Sequence, residues 1–168
     1  KDDRNEVIED AIQNGVTKML LPNISSQYTT AMMNLCETYP DNCFPMMGLH
    51  PCDVKTDTIK KELLHVEEML QREKFIAIGE IGLDLYWDKT TLEIQKEAFI
   101  YQIELAKKHQ LPIAIHVRDS FTEAVEIIEK LNDENLSGVF HCFTGNEEDA
   151  KRVINLGNFY LGIGGVLT

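Results

Sequence analysis

The 168 residues carry 16 Lys and Arg against 28 Asp and Glu, a net charge of −12, with 43% hydrophobic and 26% charged residues. That balance fits one globular domain with a sizeable core, and it excludes both a disordered chain and a broadly basic surface for binding nucleic acid. It leaves open an enzyme acting on nucleic acid, because bound metal ions supply positive charge locally.

No apolar run approaches the ~18 residues that a membrane-spanning helix needs. The opening Lys1-Asp2-Asp3-Arg4 is not a secretory leader. A cytoplasmic protein with no membrane contact is expected. Cys36, Cys43, Cys52 and Cys142 show no Cys-x-x-Cys spacing and read as reduced thiols.

The chain opens within a helix, where Val7, Ile8, Ala11 and Ile12 form an apolar stripe and Gly15 marks the stop. Strand-like runs follow at 18–24, 43–50, 75–84, 112–117, 138–143 and 159–167. Helical patterns fill the intervals at 26–38, 56–72, 91–109, 120–131 and 146–156. Thr90 with Glu93, Ser120 with Glu123, and Thr144 with Glu147 have the spacing of capping boxes. The stripes Leu92, Phe99, Ile103, Ala106 and Phe121, Val125, Ile128, Leu131 give two of these helices a core face. Alternation of this kind predicts one α/β domain over 1–168 with a parallel sheet. A (β/α)₈ barrel of the TIM type needs eight strands and typically ~250 residues. Six strands therefore predict either a smaller open sheet or a barrel lacking its first and last strands. The unpaired helix at one end and unpaired strand at the other favour the second, with the domain incomplete at both ends.

Three of the strand-like runs lead into side chains that bind metals: Ile76-Ala77-Ile78-Gly79 into Glu80, Pro112-Ile113-Ala114-Ile115 into His116, and Gly138-Val139-Phe140 into His141. In a parallel sheet the C-terminal strand ends converge on one face, where active sites form. A glutamate in an apolar run is costly unless paired or metal-bound. Together with two imidazoles it makes a donor set for a divalent metal. His50, before Pro51, reads either as a substrate-contacting imidazole beside that set or as a packed loop histidine. Asp84 falls past its strand and reads as an orienting carboxylate or a turn residue. Arg118 would hold a phosphate oxygen bidentately, or pair with Asp119. Tyr86 and Trp87 would stack on a base or line the pocket mouth, or form a lid over a loop. Gly162, Gly164 and Gly165 permit close packing of a strand. His65 and His109 lie in helical stretches, are expected to face solvent, and receive no role.

Four segments, Gly48-Leu49-His50-Pro51, Gly79-Glu80-Ile81-Gly82-Leu83-Asp84, Ile115-His116-Val117-Arg118-Asp119 and Phe140-His141-Cys142-Phe143-Thr144-Gly145, resemble in order and spacing the TatD family of metal-dependent deoxyribonucleases, amidohydrolase-like barrels. The resemblance covers essentially the whole chain. It implies a (β/α)₈ barrel with one or two divalent ions (Mg²⁺, Mn²⁺ or Zn²⁺) at the C-terminal face, and Glu80, His116 and His141 as ligands. It places His50 near the active site, and Asp84 matches the aspartate after the Glu-x-Gly-Leu motif. The implied function is cleavage of DNA phosphodiester bonds by a metal-activated water, with Glu80, His50, Asp84 and Arg118 as the catalytic set. DNA is then a transient partner, and a monomer is favoured. Alternatives are an amidohydrolase-like enzyme acting on an amide, lactone or aminoacyl ester, or a non-catalytic barrel fragment. The family's first-strand His-x-His pair and last-strand aspartate have no counterpart in these residues.

Overall fold

The computed structural model describes residues 3–165. Helix α1 (Arg4–Gln13) leads into β1 (Met19–Pro22), α2 (Ser26–Thr38) and β2 (Cys43–Met47). A 3₁₀ turn (Pro51–Asp53) precedes α3 (Ile59–Arg72) and β3 (Ala77–Asp84). A second 3₁₀ turn (Lys89–Thr91) opens α4 (Leu92–His109), followed by β4 (Ile113–Arg118), α5 (Phe121–Leu131), β5 (Gly138–Phe140), α6 (Glu147–Asn155) and β6 (Phe159–Leu161). The six strands form one parallel sheet in the order β1-β2-β3-β4-β5-β6. Each crossover thus moves one strand along in the same direction, which is the winding of a TIM-type barrel. Strands β1 and β6 are the two edges, so the sheet is not closed.

Side chains alternate across each strand and define two faces. On one, Met47, Ile78, Ile81, Leu83, Ile113, Ile115 and Phe140 meet helix residues such as Leu63, Val66, Phe99, Ile103, Val125 and Ile128 in the main core. The other carries the smaller cluster Met46, Ala77 and Ala114, packed with Val139. That second face lines an apolar hollow of about 470 Å³, bounded also by Leu20, Ile76 and Tyr160, with Glu80 and His141 on its wall. The predicted stripes of α4 and α5 lie on the core face, whereas Val7 of the α1 stripe is 59% exposed.

Local competition for hydrogen bonds explains most departures from the expected boundaries. The run at 43–50 leaves the sheet at Met47, because the N–H and C=O of Leu49 bond to the Gln102 side chain instead. None of the three predicted capping boxes forms. Asp88 caps the turn at Lys89–Thr91, the Ser120 hydroxyl donates to the Leu83 carbonyl at 2.8 Å, and the box on α6 is Asn146 with Asp149. In the run at 159–167 the strand ends at Leu161, residues 162–165 leave it, and 166–168 lie outside the described residues. A Cβ on Gly162 or Gly164 would press on Phe140–Cys142, so these glycines allow the close approach expected of them; Gly165 faces open space.

The strand β3 register shifts between Ile78 and Ile81, a bulge that carries Glu80. It then resumes with Gly82 opposite His116 and Asp84 opposite Arg118. Gly82 has φ +142°, and a Cβ there would collide with the His116 carbonyl. Gly157, after α6, has φ +90° but open space around it. Both glycines pay for a backbone that other residues adopt reluctantly, but only Gly82 also meets a steric wall. Gly157→Ala should therefore cost about 1 kcal/mol, and Gly82→Ala about 3 kcal/mol or more. Urea unfolding of the two variants measures the difference; equal midpoints would show that the strand can move away from Gly82.

Candidate metal centre

The sheet brings five sequence-predicted side chains to one place. Glu80 and His116 stand inside strands β3 and β4, not at their ends as expected, and Asp84 closes β3. Their side chains are 17%, 20% and 2% exposed. His141, just past β5, is 62% exposed at the rim. His50, held by its backbone N–H on the Ile24 carbonyl, has its ring 4.5 Å from that of His116. One donor atom from each of His50, Glu80 and His116 lies within 4.8 Å of one from each of the other two. The Nε2 of His141 lies 3.8 Å from Glu80 Oε1.

Hydrogen bonds fix the tautomers. The Nε2 of His116 lies 2.9 Å from Asp84 Oδ2, a donor–carboxylate distance. Its other nitrogen, Nδ1, faces Glu80 Oε1 at 3.4 Å, a long contact without the alignment of a good hydrogen bond. Glu80 Oε1 is buried without a hydrogen-bond partner. A neutral His116 therefore opposes its Nδ1 lone pair to a carboxylate oxygen, which is repulsive unless a cation lies between them. The residues present fit a divalent metal on that ground, with Asp84 as the carboxylate behind the ligating imidazole. His50 is different. Its Nδ1 accepts the Cys52 N–H at 3.2 Å, so the proton of its neutral ring sits on Nε2, which becomes a donor.

Electrostatics agree with this wiring. Burial pushes the Glu80 carboxyl up, but His116, His141 and His50 outweigh it and hold it below its ordinary value. The same contest, won by the His116 and Tyr86 N–H donors, lowers Asp84. Burial disfavours the charged form of His116, yet Glu80 and Asp84 raise its pKa overall. His50 is lowered, by burial first and then by the charge of His116. Burial and Asp84 push the Cys52 thiol up to about 11, so it stays protonated and shares the Asp84 carboxylate at 3.5 Å.

Arg118, Tyr86 and Thr144 border the same cleft, of about 640 Å³, that Glu80, His116, His50 and His141 line. Arg118 does not pair with Asp119; its guanidinium lies over the Tyr86 ring at 3.6 Å and 5.6 Å from that of Trp87. His65, expected in solvent, is half-buried and donates from Nε2 to Thr29 Oγ1 at 2.9 Å. Thr29 in turn donates to Asn23, whose amide holds the Gly48 carbonyl beside His50. His109 is also half-buried.

Two supporting residues escaped the sequence reading. Gln95 and Gln102 are 3% and 1% exposed on α4. Gln95 accepts the Asp84 N–H at 2.8 Å and donates to the Asp84 carbonyl at 3.0 Å. Gln102 does the same for Leu49, at 2.7 and 3.2 Å. Seven residues apart, they sit on one helix face with Phe99 and Ala106. Two amides interrupting an apolar stripe were the available signal.

A parallel sheet wound one way, with a carboxylate and imidazoles gathered around a cleft, defines a TIM-barrel-type α/β protein with a metal-ligand donor set. Comparison with known proteins narrows this. The family described as TatD related DNase matches residues 1–168, and the chain belongs to the TatD family. It is 40% identical over 166 residues to the uncharacterized metal-dependent hydrolase YabD of Bacillus subtilis, covering 99% of this chain and 64% of that protein. It is 31% identical over 157 residues to the 3'-5' ssDNA/RNA exonuclease TatD of Pectobacterium carotovorum, covering 92% of this chain and 59% of the relative. The crystal structure of YjjV, a TatD homologue from Escherichia coli, superposes with a TM-score of 0.88 at 29% identity, over 99% of this chain and 64% of that one. The chain thus spans about three fifths of the length of these relatives.

The glutamine clamps are testable alone. Gln102→Leu keeps the volume but leaves the N–H and C=O of Leu49 unpaired in the core, which should cost about 2–4 kcal/mol. Chemical denaturation reads this directly; a loss below about 1 kcal/mol would mean that water or a shifted backbone replaces the amide.

Proposed function

We propose that residues 1–168 form part of a single metal-dependent hydrolase domain that cleaves phosphodiester bonds, with DNA as substrate. The observation that carries this reading is the buried Glu80 oxygen opposed to the His116 Nδ1, a contact that calls for positive charge and that a bound cation satisfies. We assign Glu80, His116 through Nδ1, and His141 as ligands. His141 joins them because its ring is free at the rim, whereas the lone pair of His50 is engaged by the Cys52 N–H. The relatives named as metal-dependent hydrolases and as an ssDNA/RNA exonuclease support the chemistry.

A divalent ion held there would supply the Lewis acidity that makes water nucleophilic near neutral pH and offsets phosphoryl charge. The chain's own residues do the rest. Asp84 holds the His116 ring in one tautomer and one orientation. His50 presents its Nε2–H to a substrate oxygen. The fixed charge of Arg118 attracts a phosphate to a chain that is otherwise strongly acidic. The apolar hollow that Glu80 also borders gives that side of the centre a lining with few polar groups.

Two measurements test this on the whole protein. Glu80→Gln and His116→Ala should each abolish Mg²⁺- or Mn²⁺-dependent cleavage of a labelled oligodeoxynucleotide, as should chelation of the metal. Full activity in either variant refutes the ligand assignment, and a protein that binds no divalent ion by elemental analysis refutes the hydrolase reading. Separately, Asp84→Asn should weaken metal affinity by roughly tenfold to a hundredfold. Calorimetric titration would find unchanged affinity if Asp84 were only a turn residue.

A further inference from the structure

Beside the metal centre, at the end of β3, Tyr86 and Trp87 are 51% and 72% exposed. A lid would bury such rings against the loop beneath, and neither is buried. Their planes are perpendicular, at 89°, with centroids 4.8 Å apart. The Arg118 guanidinium sits over Tyr86, so one aromatic face is already taken and Trp87 remains largely open. The loop that carries them is well anchored. Leu85 N–H bonds to the Arg118 carbonyl at 2.9 Å, Tyr86 N–H to Asp84 Oδ1 at 3.0 Å, and Asp84 itself is clamped by Gln95. Tyr86 and Arg118 also border the cleft that Glu80 and His116 line.

We propose that Trp87, braced by Tyr86 and Arg118, is a stacking platform for an unpaired nucleobase next to the phosphate being cleaved. A stacked guanidinium keeps its N–H groups free at its edges, where they can hold a phosphate oxygen while the rings hold the base. A paired base inside a duplex has no free face for Trp87, so the platform selects single-stranded ends. Stacking accepts any base, so it gives preference for strandedness without sequence preference. The inference rests on the nucleic-acid reading of the centre and adds to it the residue that chooses the strand.

Trp87 is the sole tryptophan of these 168 residues, which makes its fluorescence the natural probe. The experiment uses a phosphorothioate octathymidylate, which resists cleavage, with Mg²⁺ present. It should quench the tryptophan emission, and a covalently closed circular duplex should not. Trp87→Ala, followed through the label on the octamer, should bind it roughly tenfold more weakly, within the range of base–aromatic stacking, and Trp87→Phe should recover most of that loss. An octamer of abasic nucleotides should bind wild type and Trp87→Ala alike. The proposal is overturned if the closed circular duplex quenches as strongly as the single strand, or if Trp87→Ala weakens the abasic octamer as much as octathymidylate. Binding is read without turnover, so the two readings fail separately. Quenching without metal-dependent cleavage of an ordinary oligonucleotide sinks the hydrolase and leaves the platform. Cleavage whose KM is unmoved in Trp87→Ala sinks the platform and leaves the hydrolase.

Discussion

A single unfavourable contact organises this end of the molecule. Glu80 Oε1 and His116 Nδ1 are held 3.4 Å apart, both largely buried and without a well-aligned hydrogen bond between them. Asp84 creates the problem by taking the other nitrogen of the ring at 2.9 Å. An isolated buried carboxylate would relieve itself by binding a proton. Here the surrounding imidazoles hold Glu80 below its ordinary pKa, so the demand for positive charge falls on the space between Glu80 and His116. Raising the His116 pKa is the protonic answer to that demand, and a divalent ion is the stronger one.

Holding two such groups together needs a backbone that cannot relax. The bulge in β3 turns Glu80 toward the imidazoles, and the absence of a Cβ at Gly82 lets that strand lie against the His116 carbonyl. Helix α4 then acts as a rod along the outer face. Its two glutamines bond in pairs to the backbone of Asp84 and of Leu49, fixing the loop after β3 and the loop that bears His50 relative to one another. Because these amides are buried and satisfied, sliding either loop costs two hydrogen bonds at once, with no water to replace them. The positions of Asp84 and His50 are therefore set from behind by a helix that bonds to the backbone of Asp84 and of Leu49.

The fold was legible because apolar periodicity reports burial, and burial is what the sheet and helices share. The stripes Phe99, Ile103, Ala106 and Val125, Ile128 are read in sequence and found in the core. Helix caps were illegible for a related reason. Ser120 has the right spacing for a capping box, yet its hydroxyl is used across the sheet on the Leu83 carbonyl, a choice made by tertiary structure. The same limit applies at the site. Sequence shows which residues have metal-binding chemistry, and it named Glu80, His116, His141, His50 and Asp84. It cannot show that His50 spends a lone pair on Cys52, that the strand bulges at Glu80, or that Arg118 prefers Tyr86 to Asp119.

The acidity of the chain also bears on the direction from which an anion can approach. Glu147, Glu148 and Asp149 open α6, and Asp119, Glu123 and Asp149 line the recess beyond His141. A polyanion approaching over that side meets repulsion within a few ångströms, where salt screens it least. The cleft that shares Asp119 and His141 with that recess also carries Arg118, stacked on Tyr86 and beside the exposed Trp87, whose ring faces carry no charge. On the proposed function, an anionic strand would be steered along the Tyr86–Trp87 flank, and a cation held by Glu80 and His116 would draw its phosphate the rest of the way inward.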